Sequence, residues 1–281
     1  MPRLRRVLAE PLSARLEAVV FDVDGTLVDS ERHGHRVAFN DAFAAAGLHD
    51  RWDEAQYGEL LLIAGGRQRL TSYLLETGLS PTAAGALAEQ LHRVKTSRFR
   101  DRAASGEIPL LPGVRRLVLG LQRHGTRLFV ATTGAREWVL PLLEHHFGSS
   151  TFEAVVTGTD VGRLKPDPEA YLEVLQRAGL AADRVVAVED SVNGLRAAHG
   201  AGLPCLVVRN DYTGPDVGDA ELVVSGLGPH ADILSGVPAP MPHGLVTVET
   251  LEALVGTRSR PSSPTPKRWA RRPRGRHRDA R

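Results

Sequence analysis

Two acidic residues one position apart, Asp22 and Asp24, directly follow the apolar run Ala18–Phe21. Such a run predicts a buried β-strand, so both carboxyl groups lie at its carboxyl end. If the chain bends at Asp24 and Gly25, the side chain of Asp22 and both the side chain and the carbonyl of Asp24 converge on one pocket. The alternative is an ordinary strand end followed by an Asp-Gly turn. The first interpretation makes this strand end a candidate functional site.

A second acidic pair, Glu189 and Asp190, follows another apolar run. Together with Asp22 and the Asp24 carbonyl, this pair would complete an oxygen-only site for a hard cation. Magnesium suits such a site because it binds through one or two carboxylates plus a substrate phosphate. The alternative is that the acids cap the helix that begins at Ser191, and both roles can hold at once. The sequence therefore predicts Mg²⁺ as a cofactor.

Two further segments could bind an anion. Thr132, Thr133 and Gly134 lead from a predicted strand into a helix, where free N–H groups and the helix dipole favour a phosphate. The Thr132 hydroxyl could donate one more hydrogen bond, unless it only caps the helix. Lys165 is one of three lysines in a chain that otherwise uses arginine. It would place a compact positive charge beside a phosphate or carboxylate, unless it is a solvated loop lysine.

Strands and helices alternate along the chain after about residue 109. The predicted strands are Arg127–Thr132, Ala154–Thr157, Arg184–Glu189 and Pro204–Arg209, and helices begin near Val114, Arg136, Pro168 and Val192. Repeated strand–helix units predict an α/β fold with a doubly wound, Rossmann-like parallel sheet that binds ligands at the carboxyl ends of its strands. Residues 31–108 carry apolar residues at helical spacing and predict a helical domain inserted into this core.

The predicted organisation has five parts. An N-terminal extension covers residues 1–16. The α/β core consists of residues 17–30 and 109–236, and the helical insertion of residues 31–108. Residues 237–256 form a C-terminal segment that either packs on the core or serves as a linker. Residues 257–281 contain ten Lys or Arg against one acidic residue, so they predict a disordered basic tail and leave the rest of the chain acidic. This tail raises a function of another class, binding of nucleic acid or an acidic partner, against the simpler interpretation of a dispensable extension.

The bulk composition is that of an ordinary globular protein, with 42% hydrophobic and 24% charged residues. No apolar run approaches the roughly 18 residues that a membrane span requires, so we expect no membrane partner. The single cysteine, Cys205, excludes an internal disulfide, and the start of the chain lacks the apolar core of a secretory signal. We therefore expect a cytoplasmic protein. The sequence leaves monomer or dimer open.

Three strings resemble motifs of the haloacid dehalogenase-like hydrolases. They are FDVDGTLVDSE at residues 21–31, GRLKPDP at 162–168 and VEDSVNGLRAAHGAG at 188–202. The resemblance implies phosphoryl transfer, with Asp22 as nucleophile, Asp24 as general acid and base, and Lys165 and Thr132 stabilising charge on the transferring group. It implies that Mg²⁺ is bound by Asp22, Asp24, Asp190 and, partly through other groups, Glu189. The motifs also offer substrate-binding candidates, namely Asp29, Thr133, Gly134 and Asn193.

The resemblance is closer to one branch of that family, the CbbY-type proteins. It rests on ERHGHRVAFNDAF, DEAQYGELLLIAGGRQRL and VATTGAREWVLPLLE and covers about residues 17–209. CbbY-type proteins are linked to removal of the 1-phosphate from xylulose 1,5-bisphosphate. The resemblance therefore implies a small phosphorylated sugar as substrate and a role for residues 31–108 as a mobile cap that selects it.

A bisphosphate requires a second cationic group away from the metal. Arg67 and Arg69, just after two glycines, could supply it because arginine pairs bidentately with phosphate. Lesser candidates are His35, Asn40 and Tyr57. The alternative is that both arginines are exposed residues of the cap. The chain departs from the CbbY pattern at Arg67, where lysine is expected, and at Gly134, where a further hydroxyl residue is expected.

Two other phosphate chemistries stay open, a broad-specificity phosphatase and a mutase. A β-phosphoglucomutase shares the core motifs, but its cap histidine is expected ten residues after the second aspartate. That position is Gly34 here, with His33 and His35 on either side. The register favours a phosphatase, although a small shift in a helix could absorb the difference.

Overall fold

The computed structural model of the chain describes residues 15–63, 65–211 and 216–257. The N-terminal extension assigned to residues 1–16 and the basic tail assigned to residues 257–281 lie almost entirely outside these ranges. The two predictions made for them, an extension and a disordered tail, therefore remain predictions.

A single sheet of seven strands forms the centre of the described chain. In sheet order the strands are β3 (Ala154–Val156), β2 (Arg127–Ala131), β1 (Ala18–Phe21), β4 (Val185–Glu189), β5 (Cys205–Val208), β6 (Leu222–Val224) and β7 (Ile233–Gly236). All adjacent pairs are parallel except β6 and β7. The strand order reverses direction beside β1, which puts the ends of β1, β2 and β4 at one edge of the sheet.

Helices cover both faces of this sheet. Alternate residues of β1 separate the two layers, because Val19 and Phe21 pack in one apolar cluster while Ala18 and Val20 pack in the other. The first cluster includes residues of α5 (Val114–His124), α6 (Arg136–Phe147) and α9 (Val248–Glu252), and the second those of α7 (Glu169–Ala178) and α8 (Val192–Gly200). The predicted doubly wound α/β fold is confirmed.

Between β1 and β2 the chain is helical. It forms a π-helical turn at Glu31–His35 and then α1 (Arg36–Ala45), α2 (Glu54–Leu60), α3 (Gly66–Glu76) and α4 (Pro81–Ser105). These helices share an apolar cluster of their own, built around the buried rings of Phe39, Phe43, Trp52 and Tyr57. Phe99 and Ala103, at the end of α4, belong instead to the core cluster that contains Val19 and Phe21, so they join the helical unit to the core. We call this helical unit the cap.

The C-terminal part of the described chain packs on the core. Thr247 caps α9 in a reciprocal arrangement with Thr250, and Leu251 lies fully buried in the core cluster. Within the described ranges, none of the helices combines the length and the apolar composition needed to cross a membrane.

Candidate active site

Asp22 and Asp24, which follow β1, line a cleft. The backbone N–H of Asp22 donates to Val188 O at 3.0 Å, so the chain stays in register with β4 up to this residue. It then turns at Gly25, whose φ is +74°. A Cβ at Gly25 would lie 2.0 Å from Asp190 Oδ2, so both the conformation and the close approach require glycine. This turn brings the Asp22–Gly25 segment against Asp190.

Lys165 connects two of the acidic residues. Its Nζ donates to Asp22 Oδ1 at 2.6 Å, to Glu189 Oε1 at 2.5 Å and to the carbonyl of Ala131 at 2.8 Å. Its side chain is only 4% exposed. The residues come from the ends of β1, β2 and β4 and from the loop before α7, so the sheet topology brings them together. A fourth group, the Tyr171 hydroxyl, donates to the same Glu189 oxygen.

The charges of this cluster perturb one another. Burial alone would lower the pKa of Lys165, but the negative charges of Asp22 and Glu189 raise it above its usual value. Burial raises the pKa of Glu189 to about 7, because the effect of Asp22 adds to it and Lys165 offsets only part. Burial, followed by Asp22 and Glu189, raises the pKa of Asp190 well above its usual range. Lys165 therefore pairs with two of three crowded carboxyl groups, and the third, Asp190, has a raised pKa.

The same three carboxyl groups fit a divalent cation. Asp22, Glu189 and Asp190 each place one oxygen within 4.8 Å of the others, and the donor set contains oxygen only, as Mg²⁺ requires. Glu189 Oε2 is completely buried and has no hydrogen-bond partner in the described structure. An unpartnered buried carboxylate oxygen is costly unless a positive charge compensates for it. These residues could therefore hold a metal ion.

Asp24 lies next to this cluster in a different environment. It is half-buried, and Ser30 donates a hydrogen bond from its hydroxyl to Asp24 Oδ1. Desolvation and the neighbouring Asp22 raise the pKa of Asp24 to about 7, against the smaller opposite effect of Ser30. A carboxyl group with this pKa can both give and take a proton near neutral pH. Asp22 and Asp24 thus combine a lysine-bound carboxylate with a neighbouring carboxyl group that is suited to proton transfer.

Comparison with known proteins places this site in a family. A family model described as haloacid dehalogenase-like hydrolase matches residues 16–202, more than half of the chain. The chain belongs to this family. Protein CbbY of Cereibacter sphaeroides is 42% identical over 201 residues, which cover 70% of this chain and 86% of the relative. The CbbY of Cupriavidus necator is 38% identical over 234 residues, which cover 81% of this chain and 89% of the relative.

Solved structures related to this chain support the same family assignment. A CbbY variant from Rhodobacter sphaeroides in complex with xylulose 1,5-bisphosphate matches with a TM-score of 0.62 at 39% identity, covering 75% of this chain and 94% of that one. A putative β-phosphoglucomutase from Thermotoga maritima matches with a TM-score of 0.57 at 27% identity, covering 71% and 88%. The predicted family and the prediction of a phosphatase enzyme are confirmed.

The other predicted residues of the core motifs lie close to this cluster or line the cleft. The cleft measures about 1190 Å³, and its lining includes Asp29, Thr133 and Asn193. Thr132 is buried, and its hydroxyl accepts the backbone N–H of Gly134 at 3.0 Å in the loop before α6, whose N-cap residue is Ala135. Their assignment as catalytic or substrate-binding residues of the hydrolase remains a proposal.

The predicted cap residues lie elsewhere. Arg67 is an exposed residue whose guanidinium pairs with Glu89 at 3.3 Å. Arg69 is buried inside the cap, where it donates to the carbonyls of Leu60 at 2.8 Å and Ile63 at 3.3 Å. Neither arginine is among the described residues that line the cleft.

The lesser cap candidates also have partners within the cap. His35 stacks on Phe99 and places Nδ1 2.8 Å from Lys95 Nζ. Burial, and then the charges of Lys95 and Arg69, lower its pKa well below the usual value. Asn40 and Tyr57 bond to the Trp52 backbone and to Glu31, respectively.

Sequence reasoning missed several residues of this cleft. They include Glu31, Arg32, Arg209 and Asn210, and the loop 225–231 that follows β6. Asn210 donates to Asp190 Oδ2 at 2.9 Å and thus supports the acidic cluster directly. Arg209 ends a predicted strand and Asn210 follows it, so the strand-end rule applied to the acidic pairs could have found them.

Proposed function

We propose that this protein is a Mg²⁺-dependent phosphatase that removes the 1-phosphate of xylulose 1,5-bisphosphate through an aspartyl-phosphate intermediate. The observation that carries the proposal is the contact of Lys165 with both Asp22 and Glu189, beside the proton-transfer group Asp24. The choice of substrate is supported by identities near 40% to CbbY and by the CbbY structure that holds this sugar bisphosphate. Residues 31–108 are assigned as the cap that selects the substrate.

The reaction proceeds in two displacements at phosphorus. Lys165 holds Asp22 Oδ1, so the attack falls to Oδ2, which forms a bond to phosphorus as the bond from phosphorus to the sugar oxygen breaks. Asp24 gives its proton to that leaving oxygen. Asp24 then takes a proton from a water molecule, whose oxygen bonds to phosphorus as the bond from Asp22 Oδ2 to phosphorus breaks, which releases inorganic phosphate and regenerates the Asp22 carboxylate. When bound by Asp22, Glu189 and Asp190, Mg²⁺ would offset the negative charge of the phosphoryl group.

Substitution of Asp22 by asparagine tests this proposal. Asp22→Asn removes the nucleophile with almost no change of volume, so we expect no measurable phosphate release from a protein that still folds and unfolds cooperatively in urea. The matched control is Asp216→Asn, an exposed acid whose side chain pairs with Arg196 on the surface. Phosphate release should be measured with and without Mg²⁺ on xylulose 1,5-bisphosphate, ribulose 1,5-bisphosphate, glucose 1-phosphate and phosphoglycolate. Substantial turnover by purified Asp22→Asn protein would rule out the assignment.

One observation keeps a mutase as the second candidate. The π-helical turn Glu31–His35 contains one more residue than an α-helical turn needs, which is the shift required to move His35 into the position expected for a mutase histidine. Against this, His35 contacts Lys95 and Phe99 within the cap. Formation of glucose 6-phosphate from β-glucose 1-phosphate, faster than release of phosphate, would favour the mutase.

A further inference from the structure

Three arginine or lysine side chains line the described part of the cleft, and each has a different electrostatic environment. Lys165 is occupied by Asp22 and Glu189, as described above. The other two are Arg32, in the π-helical turn at the start of the cap, and Arg209, just after β5. A substrate with a second phosphate needs a cation that is not already used by protein carboxylates.

Arg32 is surrounded by acidic groups. Its guanidinium contacts Asp211 Oδ2 at 2.5 Å, Glu54 Oε2 at 3.1 Å and Asp29 Oδ2 at 3.6 Å. These three carboxylates, contributed by both the cap and the core, more than compensate its single positive charge. Arg32 therefore ties the cap to the loop after β5 and occupies Asp211, two residues beyond Arg209.

Arg209 is different because none of the carboxylates in the described ranges pairs with its guanidinium. It is exposed, its backbone N–H donates to Val224 O at 2.8 Å, and within residues 15–63, 65–211 and 216–257 its guanidinium forms no ion pair. The nearby acid, Asp211, pairs with Arg32 instead. The wall beside Arg209 is the loop 225–231, which carries no acidic residue. The cleft thus has an acidic end at Asp22 and a positively charged position at Arg209.

The sheet register sets the spacing between these two positions. Phe21 pairs with Val188, and Val188 with Leu206, so Arg209 lies two residues beyond the level of Asp22 and two strands away from it. With strands about 4.8 Å apart and a rise of about 3.3 Å per residue, the two Cα atoms lie about 12 Å apart. A five-carbon sugar with a phosphate at each end can bridge this separation once the arginine side chain extends toward it.

We infer that Arg209 binds the second phosphate of a bisphosphate substrate whose first phosphate reacts at Asp22. This inference rests on the proposed function and names the residue that would select a bisphosphate over a monophosphate. Arg209 and the loop 225–231 lie beyond residues 16–202, which match the family model, so this subsite belongs to the part of the core outside that match. It replaces Arg67 and Arg69, which do not line the cleft.

The test compares two substrates with the same reacting ester, xylulose 1,5-bisphosphate and xylulose 1-phosphate. Arg209→Gln should lower kcat/KM for the bisphosphate about 10- to 100-fold, mainly through KM, because a charge-assisted pair to phosphate is lost. The monophosphate should change less than about twofold, and Arg209→Lys should recover part of the loss. The matched control is Arg196→Gln, an exposed arginine on α8 that pairs with Asp216 away from the cleft.

A second measurement separates this inference from the proposed function. Titration calorimetry on the Asp22→Asn protein and on the Asp22→Asn/Arg209→Gln protein reports binding without turnover, and we expect the second variant to bind the bisphosphate about 10- to 100-fold more weakly. Equal affinity, or an equal loss for both substrates, would overturn the role of Arg209. Loss of the preference in Arg67→Gln instead would place the second phosphate at the cap. Weaker bisphosphate binding in a protein that hydrolyses neither pentulose would support the subsite and refute the proposed function.

Discussion

The glycine at position 194 supports the geometry of the acidic cluster, and replacing it gives a sharp test. Gly194 lies in the first turn of α8, and a Cβ added there would meet Glu189 Oε2 at 1.8 Å and the carboxyl carbon at 2.0 Å. Glu189 cannot simply swing aside, because it is fully buried and is held by Lys165 and Tyr171. Gly194→Ala should therefore displace this carboxylate from its lysine.

The size of the effect follows from what must break. Breaking a buried ion pair costs about 3–5 kcal/mol, whereas alanine in place of glycine within a helix returns about 0.5–1 kcal/mol. We expect Gly194→Ala to lower the free energy of unfolding by about 2–4 kcal/mol and to reduce kcat/KM, since Lys165 loses one of its two carboxylate partners. The matched control is Gly85→Ala in α4, where an added Cβ meets nothing within 4 Å. That variant should be stabilised slightly and remain fully active.

Urea unfolding in a buffer without divalent cations measures this difference, and a double-mutant cycle assigns its cause. In a Glu189→Ala background the clashing carboxylate is absent, so adding Gly194→Ala should cost nothing further. The coupling free energy between the two sites should then equal the destabilisation of the single variant. If Gly194→Ala unfolds like Gly85→Ala and keeps its activity, the close contact between α8 and Glu189 does not exist and our account of the cluster is wrong.

Three further outcomes are expected. Burial, with Arg69 nearby, lowers the pKa of Lys95 to about 8, whereas the unfolded chain keeps this proton up to the ordinary value near 10.5. Because the unfolded chain binds more protons between these pH values, the free energy of unfolding should rise by about 3 kcal/mol from pH 8 to pH 10.5. Urea unfolding of Lys95→Met should show no such rise. Tyr171→Phe deprives Glu189 of one donor and should cost about 1–3 kcal/mol in the same assay; an unchanged midpoint would contradict that hydrogen bond. Truncation after Thr257 should leave kcat/KM unchanged while abolishing any salt-dependent binding to duplex DNA, and a fall in hydrolysis would make the tail part of the enzyme.

The chemistry of the core could be predicted because its residues are fixed by neighbours along the chain. Asp22 and Asp24 follow directly on an apolar run, and Glu189 ends another, so a parallel sheet must bring them to one edge. Lys165 was found through its motif, and the structure shows its contacts with two of these acids. Strand ends and motifs can be recognised in the sequence because they depend on residues that are adjacent in the chain.

The cap arginines illustrate where this reasoning fails. Arg67 and Arg69 are two residues apart on α3, yet one pairs with Glu89 on the surface and the other is buried against backbone carbonyls. Spacing along a helix tells which residues share a side, but not which side faces the cleft. Only the packing of α3 within the cap decided that.

What the sequence alone determined was the fold class, the family and the identities of the acids and the lysine at the strand ends. What only the tertiary structure decided was contact between elements distant in the chain: Arg32 pairing with Asp211, the cleft position of Arg209, and the approach of α8 to Glu189. The physical reason is that side-chain direction and charge compensation depend on neighbours supplied by other elements. The sequence shows which residues are charged, but whether a charged side chain forms an ion pair depends on how the chain packs.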